Sequence, residues 1–546
     1  MKVTTTLNRT ALNAAEFVRH LVEKVRMYEI TKEQAILQLD EQTIERLTKP
    51  TFAVPILNKI IASGVPICSG VAAGKVYFSI QKGAKALKAG EPIILFKDTI
   101  TAEDINSFGY VQGVLSFNED PTSHTAIIAR AMGRPFISKL SQGFWEPARD
   151  SIHVGGEEIK EGEWLSMDAF DGILIRGKVR IQKPSTPEEY YALLDWIDQT
   201  TRISVHGNAD TPEEAVLAIE NGAWGIESRT EYMFFKPERL NLFRQMILAK
   251  SGVQQELTLS KLLLLQRAMF IKLYEVMGDR PVVIRLLDPP LHEFLPETED
   301  IKRELAQDLD VDLTWIENRL AALREVNPMM GNRGVRLLIT HPAIAAMQVR
   351  ALFEAALEMA RRGKEVIPRI LIPMVVCHGE LIFLKKVIKG IHQEVCTNES
   401  YDVQYYVGAM IETPRAALTA AQIGKEVDFI SFGTNDLTAQ VFGFSRGDVL
   451  GKFLSKYLEE RILDSDPFYC LDKGVAVLVK EALSAARGAN PRIHASLCGE
   501  QGGEKSTIEF CNQIGLDSIS CSPPRIPVVK LLAAQAAIRQ LMKNDS

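Results

Sequence analysis

From residue 203 to the end of the chain, short apolar runs alternate with long amphipathic stretches. This rhythm constrains the fold more than any other feature. The runs are ISVHG, WGIES, PVVIRLLD, RILIPMVV, YVGAMIET, DFISFG and SISCS. Each has strand length and a share of β-branched or aromatic residues. Between them lie stretches such as PAIAAMQVRALFEAALEMARR, whose apolar residues recur at helical spacing. Strand-then-helix alternation sustained this long predicts a (β/α)8 barrel, with a doubly wound sheet as the second reading. An eighth strand is expected near MMGNRGVRLL.

The preceding residues have a different texture. Residues 11–49 read as helical, with a capping box in TKEQ: Thr31 at the cap and Gln34 three positions on. Between 54 and 180, SGVAAGKVYFS, EPIILF, GVLSF, SIHVGG and GILIRGKVRI are short strands punctuated by glycine, with one helix at roughly 123–133. KPSTPEEYYALLDWIDQTTR then reads as a helix led in by Pro187. The expected organisation is a helical remnant at 1–53, a small α/β domain at 54–180, a linker helix at 181–202 and the barrel at 203–546. At 546 residues, several domains are expected.

Composition narrows the function classes. A net charge of -6 argues against nucleic acid as partner. No apolar run is long enough to cross a bilayer, and MKVTTTLNRT has no signal core. The seven cysteines are odd in number and include no CxxC pair, which fits reduced thiols in a cytoplasmic enzyme.

Reactive residues gather at the C-terminal ends of the strand-like runs. Arg229 follows WGIES, and Arg285 and Asp288 end PVVIRLLD. Glu412 ends GAMIE, Gly433-Thr434-Asn435-Asp436 follows DFISF, and Cys521 ends DSISC. Singly, each has a plain structural reading as an ion pair, a cap or a small core residue. In a barrel, however, these ends share one mouth, where active sites lie. Glu412 and Asp436 offer hard oxygen ligands suited to Mg2+, with Mn2+ as a second choice. The arginines suit a carboxylate or phosphate held bidentately. His124, after Ser123, reads either as part of a helix start or as a group that carries an anion at a helix N-terminus.

GIESRTEYMFF, RLLDPPLHEFLP, NPMMGNRGVRL, GAMIETPRAALTA, SFGTNDLTAQVFGFSRGDV, CGEQGGE and SCSPPRIPVVKLLAAQAAI resemble the substrate barrel of the pyruvate, phosphate dikinase family of PEP-utilising enzymes. PTSHTAIIARAMGRPFI resembles that family's phosphohistidine domain, and the likeness runs from about 20 to 540. It implies a TIM-type barrel preceded by a small swivelling phosphohistidine domain. It further implies that His124 carries the phosphoryl group and that Glu412 and Asp436 hold magnesium. Arg229, Arg285 and Arg333 would bind phosphate and carboxylate, and Gly433, Thr434 and Asn435 would line the substrate. Cys521 would move the proton at C3 of the enolate. Phosphoenolpyruvate and pyruvate are the implied substrates, and dimerisation through the barrel is implied.

The sequence also departs from that family. Only the tail of that family's ATP-grasp region is expected here, as residues 1–53, so either a separate nucleotide-binding protein supplies that half reaction or the chain does something else. Glu119-Asp120-Pro121 stands where the family writes Gly-Gly-x before Thr-Ser-His, and Glu227-Ser228 replaces an apolar-leaning pair before Arg229. Two other functions compete with phosphotransfer of the dikinase type. Enzyme I of the sugar phosphotransferase system is disfavoured, because only 55 residues separate Ser69 from His124 and leave no room for its carrier-binding subdomain. A non-catalytic sensor of phosphoenolpyruvate or pyruvate is the other.

Overall fold

The computed structural model describes residues 11–53, 60–98, 100, 108–119, 124–131, 133–141, 143–146, 149–184, 186–234, 237–397, 399, 401–449 and 452–544. The chain forms two compact units. One comprises Met1–Arg202, Arg446–Cys470 and Pro527–Ser546; the other comprises Ile203–Ser445 and Leu471–Ile526.

The first unit opens with helices Ala11–Arg26, Lys32–Gln38 and Glu41–Thr48. The expected capping box is present: Gln34 N donates to Thr31 Oγ1 at 3.2 Å and Thr31 N to Gln34 Oε1 at 3.0 Å. At the other end of that helix, the Gln535 side-chain amide donates to Ile36 O, which also accepts from Leu39 N, and to Leu39 O, both at 2.9 Å.

An eight-stranded mixed sheet follows, in the order Ile60–Ser63, Ile173–Arg176, Trp164–Asp168, Val71–Tyr77, Ile93–Lys97, Gly113–Ser116, Phe136–Ser138 and Val65–Cys68. Strand alternation divides the IILF run between two cores. Ile94 and Phe96 join Val76, Leu115, Ile152 and Leu165 on one face. Ile93 and Leu95 join Val114, Phe136, Ala126 and Ala129 on the other. The last two alanines belong to helix His124–Ala131, so His124 opens a helix packed on a buried sheet face. The His124 side chain and residues 120–123 lie outside the described residues. Glu119 is buried: its carboxylate accepts from Ile100 N at 3.2 Å, and its carbonyl accepts from Ser138 Oγ at 2.7 Å.

The second unit is a closed eight-stranded barrel. Its strands are β1 (Ser204–Asn208), β2 (Gly225–Arg229), β3 (Val282–Arg285), β4 (Arg369–Ile372), β5 (Tyr406–Ile411), β6 (Phe429–Gly433), β7 (His494–Cys498) and β8 (Ser518–Cys521). All neighbours are parallel, and β8 closes on β1 with Gly207 opposite Cys521. β6 is buried along its whole length, as expected for a strand covered by helices on one side and by the barrel interior on the other. The chain is α/β with a TIM-type barrel.

One expectation is corrected. The eighth strand is HASLC, β7, and not the segment near MMGNRGVRLL. That segment forms a short turn of 3-10 helix at Pro328–Met330 and helix Val335–Thr340, joined through Gly334 at φ 56°. Its apolar residues, Val335, Leu337 and Leu338, are buried on a helix face.

Candidate active site

The C-terminal ends of β2, β3, β5, β6 and β7 surround a cavity of about 150 Å³. Arg229, Arg285, Glu412, Gly433, Thr434, Asn435 and Asp436 all line it. Glu227, Ser228, Cys498 and Glu500 join them. Arg333 and Cys521 are not among the lining residues.

The two lining arginines are fixed by carboxylates beside the cavity. Asp210, in the turn after β1, accepts from Arg229 N at 2.7 Å and from Arg229 Nη2 at 2.6 Å. The Arg229 guanidinium also lies over the Tyr232 ring, 4.3 Å from its centroid. Arg285 Nη2 pairs with Glu231, and its Nη1 is 3.3 Å from Asp288 Oδ2. Burial alone would weaken the Arg285 charge, but Glu231, Asp288 and Glu412 hold it protonated well above the ordinary range.

Arg333 acts one layer out. Its Nη2 lies 2.6 Å from Asp288 Oδ2 and its Nη1 2.9 Å from Asp436 Oδ1. One planar guanidinium therefore sets the orientation of two acidic side chains. Despite its burial, Asp288 is held below the usual carboxylate range by Arg285 and Arg333.

Glu412, just after β5, is buried and accepts from Met374 N at 2.5 Å. Its carboxyl is raised well above the ordinary value by burial, and then by the charges of Asp288 and Asp436. Acidic oxygens crowded in this way fit a divalent cation, which would remove both penalties at once. Gly433 sits against this carboxylate: a Cβ there would lie 2.5 Å from Glu412 Oε2. The Thr434 hydroxyl lies 3.0 Å from Cys498 O and 2.6 Å from Gln501 Oε1, which ties β6 to the turn after β7. The buried Asn435 Oδ1 has no partner among the described residues.

The two thiols differ in position. Cys498 lines the cavity, and burial pushes its thiol far up. Cys521 is buried at the end of β8, its thiol pushed up to about 12 by burial against the pull of Arg525.

Sequence reasoning did not single out Asp210, Glu231 or Cys498. Asp210 and Glu231 carried a readable signal, since each directly follows a strand whose tip enters the site. Cys498 was hidden with its unrecognised strand.

Two family models match the chain. The model of the PEP-utilising enzyme, PEP-binding domain, matches residues 186–538, and that of the PEP-utilising enzyme, mobile domain, matches residues 89–172. The chain is 40% identical over 535 residues to pyruvate, phosphate dikinase of Clostridium symbiosum, covering 97% of this chain and 61% of that protein. It is 38% identical to pyruvate, phosphate dikinase of Rhizobium meliloti (strain 1021), covering 97% and 59%. It is 42% identical to the chloroplastic pyruvate, phosphate dikinase of Flaveria bidentis, covering 95% and 55%. The chain thus spans little more than half the length of these relatives. Among the described residues, no helix is long and apolar enough to cross a membrane.

Proposed function

Because the chain belongs to the PEP-utilising enzymes, we propose that it transfers a phosphoryl group between phosphoenolpyruvate and His124, by chemistry of the pyruvate, phosphate dikinase type. The observation that carries this reading is the single cavity shared by Arg229, Arg285, Glu412, Asn435 and Asp436 at the C-terminal rim of the barrel.

In the direction of pyruvate, the bond between phosphorus and the enol oxygen breaks, a bond from phosphorus to a His124 ring nitrogen forms, and the enolate takes a proton at C3. Arg229 and Arg285 hold the phosphate and carboxylate and bear the charge that spreads as the bond breaks. Their carboxylate partners fix the guanidinium planes beforehand, so little reorganisation is required. Glu412 and Asp436 would hold Mg2+, and the bound cation supplies Lewis-acid stabilisation of the enolate and phosphoryl oxygens. Asn435 lines the cavity, and its buried Oδ1 has no hydrogen-bond partner among the described residues. Cys521, a neutral thiol at pH 7, serves as proton donor to C3.

The linker at 181–202 carries His124 between the barrel and a second, nucleotide-binding site. The test is incubation with 32P-phosphoenolpyruvate and Mg2+. Labelled protein and pyruvate are expected from the wild type, and neither from His124→Ala. Tight binding of phosphoenolpyruvate with no label and no pyruvate would favour the sensor instead.

A further inference from the structure

We propose that Glu227 is a specificity residue, and that the barrel prefers a 2-oxo acid bearing a hydroxyl at C3, where pyruvate carries only hydrogen. This deepens the proposed function and rests on it.

Glu227 lies two residues before Arg229 on β2, so strand alternation turns both side chains into the barrel, with Glu227 one layer deeper. It faces Val283 in register, and Leu371 and Met410 also line the cavity. That wall is otherwise apolar: Val283, Leu371, Met410 and Phe429 form one buried cluster, with Cys498 packed against it. A carboxyl set into such a wall costs stability unless something partners it.

The cavity arginines are already engaged, Arg229 by Asp210 and Arg285 by Glu231 and Asp288. Glu227 forms no ion pair with either, so neutralising them does not explain its presence. Its polar neighbour Ser520, on β8, gives it a side-chain hydrogen bond that favours the charged form. A carboxyl can take several hydrogen bonds, so one serine leaves part of its capacity open toward the cavity that Glu227 lines.

The substrate's charged ends are held at the rim by the arginines and the acidic pair. C3 is the part that reaches the deeper layer. A methyl or methylene offers Glu227 nothing, whereas a hydroxyl meets it in either protonation state. Burial raises Glu227 to about 7, against the pull of Ser520, Arg285 and Arg229, so both forms are populated near neutrality. A hydroxyl donates to the carboxylate and accepts from the acid; an ammonium could do only the first. Sites built around a buried polar group discriminate strongly against ligands that leave it unpaired.

The test is calorimetric titration of the full chain, with Mg2+ present, using pyruvate, 3-hydroxypyruvate and 2-oxobutanoate. The wild type is expected to bind 3-hydroxypyruvate at least tenfold more tightly than pyruvate, and 2-oxobutanoate no better than pyruvate. Glu227→Leu should invert the order, and Glu227→Gln should keep part of the preference. Should Glu227→Leu fail to fold, the wild-type ratio and its reduction in Glu227→Gln decide. Equal or weaker binding of 3-hydroxypyruvate by the wild type overturns the proposal, as does a preference that survives replacement of Glu227. Pyruvate binding without preference removes only the role of Glu227. If none of the three acids binds, the proposed function falls with it.

Discussion

A methyl group at position 433 would meet Glu412 Oε2 at 2.5 Å and Glu412 Cβ at 2.9 Å. Neither can retreat easily, because Glu412 is buried and held by Met374 N. Gly433→Ala should therefore displace the acidic oxygen that the site most needs. We expect kcat/KM to fall by roughly 100-fold or more, and stability by only about 1–3 kcal/mol, the usual cost of overpacking. Full activity in the alanine variant would show that Glu412 can move without consequence. Arg333 is the opposite case, a residue outside the cavity lining whose loss reaches inside. Arg333 is 9% exposed and its guanidinium bridges Asp288 to Asp436, so removing it leaves Asp288 with Arg285 alone and takes the ion pair from Asp436. Arg333→Met is expected to cost about 3–5 kcal/mol in the barrel's unfolding free energy. Arg333→Lys should recover only part of this, because an ammonium cannot form the planar fork. Denaturant unfolding of the two variants checks both statements.

Strands and helices differ in how openly the sequence displays them. Seven barrel strands were legible because runs such as VGAMI and FISF are almost wholly apolar. HASLC was not, because His494 and Ser496 break its apolar character, although Ala495, Ser496 and Leu497 are all buried. Segment 329–338 misled because its apolar residues are few and close together, too short a stretch to tell a strand from one helical face. The strand ends, by contrast, announced the site. Arg229, Arg285, Asp288, Glu412 and Asp436 were each readable from position; Asp210 and Glu231 stand at strand ends too, but which arginine each braces is set by packing between neighbouring turns. Strand Trp164–Asp168 yields a prediction of its own. Burial, reinforced by Asp171, raises the Asp168 carboxyl to about 6, while Phe170 N and Arg46 oppose the shift. The ordinary unfolded value is about 3.9. Between these values the folded chain binds more protons than the unfolded one, so stability falls as pH rises from about 4 to about 6 and stays reduced above that. Asp168→Asn should therefore leave stability near pH 4 unchanged and raise it by about 1–3 kcal/mol at pH 7.5. A pH-independent difference between variant and wild type would assign its effect to packing instead.

At the scale of the whole molecule, sequence order and spatial grouping part company. Segments Arg446–Cys470 and Pro527–Ser546 group with the first unit, although both follow barrel strands in the chain. Helix Ile526–Asn544 explains one of these returns: Lys530 Nζ lies 2.6 Å from Asp198 Oδ1, and Gln535 reaches the carbonyls at the end of helix Lys32–Gln38. Partners so distant in sequence leave no periodic trace. Two compact units also mean that a ligand confined to the barrel stabilises only part of the chain directly. The acidic cluster of Glu412, Asp436 and Asp288 lies wholly within the second unit. Saturation with Mg2+ at about 100 times its dissociation constant should stabilise that unit by about 2.7 kcal/mol. Differential scanning calorimetry is expected to record an upward shift of the barrel transition alone, abolished by chelation with EDTA and absent in Glu412→Gln. The transition of the first unit, identified by its response to Asp168→Asn, should not move. If one transition carries both responses, the two units unfold together and the cation stabilises the chain as a whole. A shift retained in Glu412→Gln would instead put the cation somewhere other than the rim of the barrel.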